Sequence, residues 1–212
     1  MIRLALLGKN IAHSKSQEVY EKLLGKKIHY ELLDCASKEE IPPLREIFEN
    51  YKLDGLSITA PYKKVFSQNP VNTVSKTLQM ANTDYIAVKE LLINLPHEKI
   101  IILGDGVMSD VTANILDELN IQYEILSRKK TKDFYKLDFS RYGHNFLLIN
   151  ACSREYNFSS ENIAQCNLFW DYNYEHEHNR QFVASLGVKY IDGSSLLELQ
   201  AKHALKFWNL NV

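Results

Sequence analysis

A chain of 212 residues with only eight glycines and five prolines, 45% apolar and 24% charged, excludes a collagen-like, low-complexity or wholly disordered protein. At this length folding removes about 70% of the extended chain's surface from water, enough for one large core or two smaller domains. Lysine and arginine total 25 against 26 acidic side chains, a formal net charge of -1, so no global field draws the chain to nucleic acid or an anionic membrane.

Cys35, Cys152 and Cys166 are odd in number and far apart. That spacing predicts a reducing, cytoplasmic setting rather than a disulfide framework or clustered zinc site. No convincing metal spacing exists elsewhere, since His176 and His178 read as part of a polar loop without a third ligand. The first apolar run is short and soon polar, which reads as a core strand and not as a leader.

In chain order, residues 2–7 predict a strand ending at Gly8, and Val19, Tyr20, Leu23 and Leu24 predict an amphipathic helix after it. Residues 28–33 read as the next strand. Pro43 suits a helix start, ahead of Leu44, Ile47, Phe48 and Tyr51 at helical spacing. Residues 56–59 form a short strand stopped by Pro61, so the first third alternates strand and helix. Residues 67–84 are polar and without periodicity, which predicts loops, and residues 86–95 predict a connecting helix.

Residues 99–103 form the strongest candidate for a buried parallel strand. The Gly104-Asp105-Gly106 turn and a helix with Val111, Ile115, Leu116 and Leu119 follow it, the point where a second sheet domain begins. Strand candidates at 123–126, 146–149 and 168–170 favour an open parallel sheet. Residues 195–208 read as a final helix carrying Leu196, Leu199, Ala204 and Phe207.

Several polar islands stand out from this scaffold. Gly8-Lys9-Asn10-Ile11-Ala12-His13-Ser14-Lys15-Ser16 resembles the substrate-binding signature of the shikimate dehydrogenase family. Ser57-Ile58-Thr59-Ala60-Pro61-Tyr62-Lys63, Val71-Asn72-Thr73, Asn82-Thr83-Asp84 and the run from Gly193 to Gln200 continue the resemblance in the family's order. It implies an α/β protein of two domains, with an amino-terminal substrate domain (residues 1–85 and 194–212) and a Rossmann-like dinucleotide domain (86–193). The final helix returns to the first domain, and the site lies in the cleft between the two.

The resemblance further implies that Ser14, Ser16 and Thr59 bind the shikimate carboxylate, that Asn72, Asp84 and Gln200 contact ring hydroxyls, and that Lys63 and Asp84 form the catalytic pair. Tyr174 is a further substrate candidate. Independently, neutral hydroxyl and amide groups suit a small polyhydroxy acid, because each satisfies a substrate oxygen without adding net charge. Ser14, Ser16 and Thr59 equally suit helix capping or turn bonding. His13 receives no catalytic role and reads as a loop residue.

Gly104, Asp105, Gly106 and Val107 follow an apolar strand and open a helix, a context in which backbone amides approach a dinucleotide pyrophosphate. Two glycines fit a ligand-free tight turn as well. The family's turn is richer in glycine: Val107 stands where its next glycine would be, and Asp105 sets a carboxylate near the phosphate position, repulsive unless it turns away or meets a cation. Ser127, Arg128 and Lys129 resemble the family segment whose arginine meets the adenosine 2′-phosphate, implying NADP as cofactor; the same residues also suit a solvated basic turn. Asn150, Ala151 and Gly193 resemble further cofactor-bordering positions.

These implications converge on reversible NADP-dependent hydride transfer between 3-dehydroshikimate and shikimate, by a monomer or homodimer without a metal. Quinate is a near alternative substrate. A shikimate-binding or regulatory protein with impaired cofactor binding is the rival reading, resting on Asp105 and Val107.

Overall fold

The structure is a computed structural model and describes residues 1–95, 99–131, 134, 137–143, 145–160, 163 and 166–210. The chain divides into two compact units, Met1–Ala87 with Leu197–Val212, and Val88–Leu196.

In the first unit, β1 (Arg3–Gly8) is an interior strand of the sheet and is buried from Leu4 onward. Strand side chains alternate, so Ala5 and Leu7 join one core and Leu4 another. β2 (His29–Asp34) and β3 (Gly55–Ile58) flank β1, both parallel to it. The helices α1 (Ser16–Leu24) and α2 (Leu44–Tyr51) follow β1 and β2. Ile47 and Phe48 of α2 pack with Ala5, Leu7, Leu56 and Ile58. Tyr20 of α1 packs with Leu4, Ile28 and the last helix.

The sheet is completed where loops were expected. β4 (Thr73–Ser75) is antiparallel to β3, and β5 (Met80–Ala81) is antiparallel to β4, giving the order β2-β1-β3-β4-β5. Pieces of three and two residues are too short to show a period, and β4 buries Thr73 and Ser75, so polarity there does not mark the surface. The next helix, α3 (Thr83–Ile93), starts earlier than its apolar pattern. Asn82 Oδ1 accepts from the Tyr85 amide at 3.0 Å, a side-chain cap that brings Thr83 and Asp84 into the first turn.

In the second unit all strand pairs are parallel: β6 (Lys99–Leu103), β7 (Tyr123–Leu126), β8 (Phe146–Asn150), β9 (Cys166–Asp171) and β10 (Lys189–Ile191), in the order β10-β9-β8-β6-β7. Ile100 through Leu103 have no solvent exposure, as a strand covered on both faces requires. α4 (Val107–Glu118) links β6 to β7, and α5 (Glu177–Ser185) links β9 to β10. Neither α5 nor β10 stood out in the sequence. The polar loop expected at His176 and His178 is instead the start of α5, where His176 Nδ1 accepts from the Asn179 amide at 3.3 Å.

The last helix, α6 (Ser194–Phe207), packs Ala201, Ala204, Leu205 and the following Trp208 against Leu4 and Tyr20 of the first unit. Trp208 Nε1 donates to the Val74 carbonyl at 2.8 Å. Its ring lies over Gly55, where a Cβ would stand 2.2 Å from Trp208 Cδ2. Glycine is needed there for the indole to reach the sheet.

Candidate functional site

Both sheets share one topological feature. Their first strand lies between the second and the third, so strand order reverses there and a crevice opens at the carboxyl ends of the first and third strands. In the first unit these are β1 and β3; in the second, β6 and β8.

Beyond β1 and β3 the backbone is pinned across the reversal, the Thr59 amide donating to the Leu7 carbonyl at 2.9 Å. Ser14 Oγ donates to Ser16 Oγ at 3.1 Å and accepts from the Ser16 amide at 3.3 Å. Lys15, at the N-cap of α1, makes no side-chain cap bond. The two serines sit together at the start of α1, with Ser16 buried, and their bonding serves the turn.

Lys63 and Asp84 are brought together. Nζ donates to Oδ2 at 2.7 Å, and both side chains are only 11% exposed. One backbone bond and one side-chain cap hold the two segments. The Val71 amide bonds the Lys63 carbonyl at 2.7 Å, and the Asn82 cap fixes Asp84 on the first turn of α3.

Beside them, Asn72 Oδ1 accepts from the Thr83 amide at 2.6 Å, while Asn72 Nδ2 donates to Thr83 Oγ1 at 2.9 Å and faces Gln200 Oε1 at 3.4 Å. Gln200 Nε2 donates to the Leu197 carbonyl at 3.0 Å. This cluster joins three distant segments of chain through neutral amide and hydroxyl groups.

Two members of this region had no assigned role in the sequence reading. Thr83, 1% exposed, is the hub between Asn72 and Gln200. Tyr20 is fully buried with its hydroxyl 2.9 Å from Ser57 Oγ. Burial pushes its phenol far above the usual range, the bond to Ser57 opposes that shift, and the nearby Asp84 charge adds to it. The only sequence signal for Tyr20 was its position one turn after Ser16, which reads equally as core. His13 is exposed.

In the second unit, Gly104 adopts φ +106° and its missing Cβ leaves the chain close to the Ala151 carbonyl, 3.1 Å from where a Cβ would be. The Gly104 amide bonds the Leu126 carbonyl at 2.8 Å, and the Ala151 amide bonds the Leu103 carbonyl at 2.9 Å. These bonds draw the turns after β6, β7 and β8 together. Gly106 is extended at the N-cap of α4, which has no side-chain cap, and Ser109 Oγ ties the first turn back to the Gly104 carbonyl at 2.8 Å. Val107 is the first residue of that helix. Asp105 meets a cation, its Oδ2 lying 3.3 Å from Lys129 Nζ.

Ser127 is 1% exposed and its Oγ has no partner among the described residues. Arg128 stands exposed on the same turn. Asn150 is fully buried: its Nδ2 donates to Asp171 Oδ1 at 3.1 Å and its Oδ1 accepts from the Cys152 amide at 3.2 Å. Its amide thus shapes the turn from within. Burial pushes the Cys152 thiol up to about 12, the Asp171 charge adds to the shift, and Arg128 opposes it. The Gly193 amide bonds the Asn173 carbonyl at 3.1 Å.

Tyr174 belongs to the second unit, apart from the other substrate candidates in the chain's division. Its carbonyl accepts from Arg154 Nη1 at 2.8 Å and its ring lies under the same guanidinium, 5.4 Å from centroid to carbon. Among the described residues, no three His, Cys, Asp or Glu side chains gather as metal ligands, and no helix is long and apolar enough to cross a membrane.

These features define a mixed α/β protein of two units, each with candidate residues beyond the carboxyl ends of its switch-point strands. No protein-family model matches the sequence, and no curated protein matches it. Solved structures do match in fold. Shikimate dehydrogenase from Thermotoga maritima has a TM-score of 0.79 at 22% identity, covering 100% of this chain and 95% of that one. Shikimate dehydrogenase 1 from Peptoclostridium difficile has a TM-score of 0.79 at 20% identity, covering 100% and 93%. Shikimate 5-dehydrogenase from Thermus thermophilus, in complex with NADP(H) and shikimate, has a TM-score of 0.71 at 20% identity, covering 98% and 93%. At these identities the likeness is one of fold.

Proposed function

We propose that this chain is a shikimate dehydrogenase, reversibly reducing 3-dehydroshikimate to shikimate with NADP(H). The observation that carries the reading is the Lys63–Asp84 pair, 2.7 Å apart and almost enclosed, beside the Asn72, Thr83 and Gln200 cluster. The hydroxyls of Ser14, Ser16 and Thr59 bind the substrate carboxylate, and Asn72 and Gln200 read ring hydroxyls. Lys63 donates a hydrogen bond to the reacting oxygen, gives it a proton in the reducing direction and takes one back in the other. Asp84 holds the ammonium in register and balances its charge.

The second unit fits a dinucleotide. The N-cap residue of α4, Gly106, has no side chain to occupy the helix start, Gly104 removes bulk at the switch point, and the buried Ser127 hydroxyl lacks a partner among the described residues. The α4 start would hold the pyrophosphate and Arg128 the adenosine 2′-phosphate. When bound, the nicotinamide supplies the hydride.

Purified protein mixed with NADPH and 3-dehydroshikimate should consume NADPH, and NADP with shikimate should regenerate it. A quinate arm measures the near alternative, since one extra hydroxyl is discriminated by pocket detail. A second reading, a shikimate-binding protein with impaired cofactor binding, is favoured by Asp105 and Val107 at the turn. Calorimetric binding of shikimate with no binding of NADP would select it.

A further inference from the structure

β6 and β7 run parallel with Leu103 opposite Leu126, so the residues that follow them leave the sheet side by side. Asp105 stands two positions beyond the first of these and Lys129 three beyond the second. That offset lets a long side chain from one turn reach the short one on the other, and Lys129 Nζ lies 3.3 Å from Asp105 Oδ2.

Asp105 directly precedes Gly106, the residue that opens α4. The positive end of a helix of 12 residues favours an anion there. A bare carboxylate at the same place would oppose a bound phosphate by like-charge repulsion. The side chains of Lys129 and Asp105 are 82% and 33% exposed, a setting in which an ion pair does little for the fold. Its effect falls on whatever charge binds at the turn.

Resting on the dinucleotide part of the proposed function, we infer that Lys129 is a positioning residue that acts through Asp105. Its ammonium neutralises the carboxylate and leaves the α4 start receptive to a pyrophosphate. It is not the grip on the adenosine 2′-phosphate, which falls to Arg128. The geometry also answers how a glycine turn tolerates an acidic residue: the compensating charge comes from the neighbouring turn.

The test is a calorimetric double-mutant cycle on the full chain, with NADP and NAD as separate ligands and circular dichroism confirming the fold of each variant. Lys129→Ala should weaken both ligands by about fivefold, the upper range for an exposed pair. Asp105→Asn should tighten both, and Lys129→Ala added to Asp105→Asn should change affinity by less than about twofold. Raising salt until the Debye length is about 3 Å should shrink the Lys129→Ala effect.

Loss of NADP affinity alone, with NAD untouched, would make Lys129 a 2′-phosphate ligand and overturn the inference. An equal loss in the Asp105→Asn background would do the same, because it would mean direct contact with the ligand. If the unaltered protein binds neither dinucleotide, the functional reading falls and this inference with it, a pattern distinct from the other two.

Discussion

Asn72 and Gln200 are separated by 128 positions in the sequence and face each other at 3.4 Å, yet they are held in different ways. Asn72 is locked by its side-chain oxygen, which accepts the Thr83 amide at 2.6 Å. Gln200 is anchored within its own helix by one bond to the Leu197 carbonyl.

That difference separates stability from binding. Asn72→Ala strands a buried amide and should lower stability by about 1–3 kcal/mol, read by denaturant unfolding. Gln200→Ala should leave stability within about 1 kcal/mol while weakening shikimate binding about tenfold, the size of one hydrogen bond to a polar ligand. Equal effects of the two variants on both measurements would remove the distinction.

Lys63→Ala should lower kcat by about 10²–10⁴, the range for a positioned proton donor, while shikimate affinity by calorimetry changes far less. It also leaves Asp84 nearly enclosed without its 2.7 Å partner, so the melting temperature should fall. Asp84→Asn should reduce turnover too. Unchanged turnover in Lys63→Ala would exclude the lysine from the chemistry.

Arg128→Ala should weaken NADP by about tenfold or more while NAD changes little, because the lost interaction is a charge-assisted bond to one phosphate. Direct binding titrations with the two dinucleotides measure the ratio. An unaltered ratio would take the 2′-phosphate away from this residue.

Cys152 sets a pH dependence. Its thiol is raised from 9.0 to about 12 by burial, so between those values the unfolded chain releases a proton that the folded chain keeps. Stability contributed by the protonated thiol is therefore full below about pH 9 and declines as pH rises toward about 12. Unfolding free energies across this window should fall less steeply for Cys152→Ala than for the unaltered chain. The thiol should also resist alkylation at neutral pH while the protein is folded.

Gly55→Ala should destabilise the first unit by about 1–3 kcal/mol through overpacking, since its new methyl would lie 2.2 Å from the Trp208 ring. Trp208→Ala should cost about 3–5 kcal/mol as a large-to-small change. The two losses should combine non-additively in the double variant, because the ring that the methyl strikes is gone. Thermal and denaturant unfolding test all three proteins.

Long, strongly patterned segments were legible in the amino-acid order. The alternation of apolar strand and amphipathic helix marked both sheets, and β6 with its glycine turn announced the second. Elements whose burial is polar or whose length is short were not. β4 hides Thr73 and Ser75, β5 has two residues, and β10 has three. None spans enough positions for a period to emerge, and each exists because a neighbouring strand supplies its hydrogen bonds.

The same division runs through the candidate sites. The local order of residues determined which side chains are available: serines at a helix start, a lysine after a short strand, an asparagine able to cap, and glycines after a buried strand. It also set Asp105 into the glycine turn but left open what that charge would meet. Only the tertiary structure decided that Lys129 meets it, that Thr83 joins Asn72 to Gln200, and that Tyr20 lies against Ser57. The physical reason is reach: patterning acts over a few residues, whereas parallel pairing and strand reversal decide which distant turns stand within the length of a side chain.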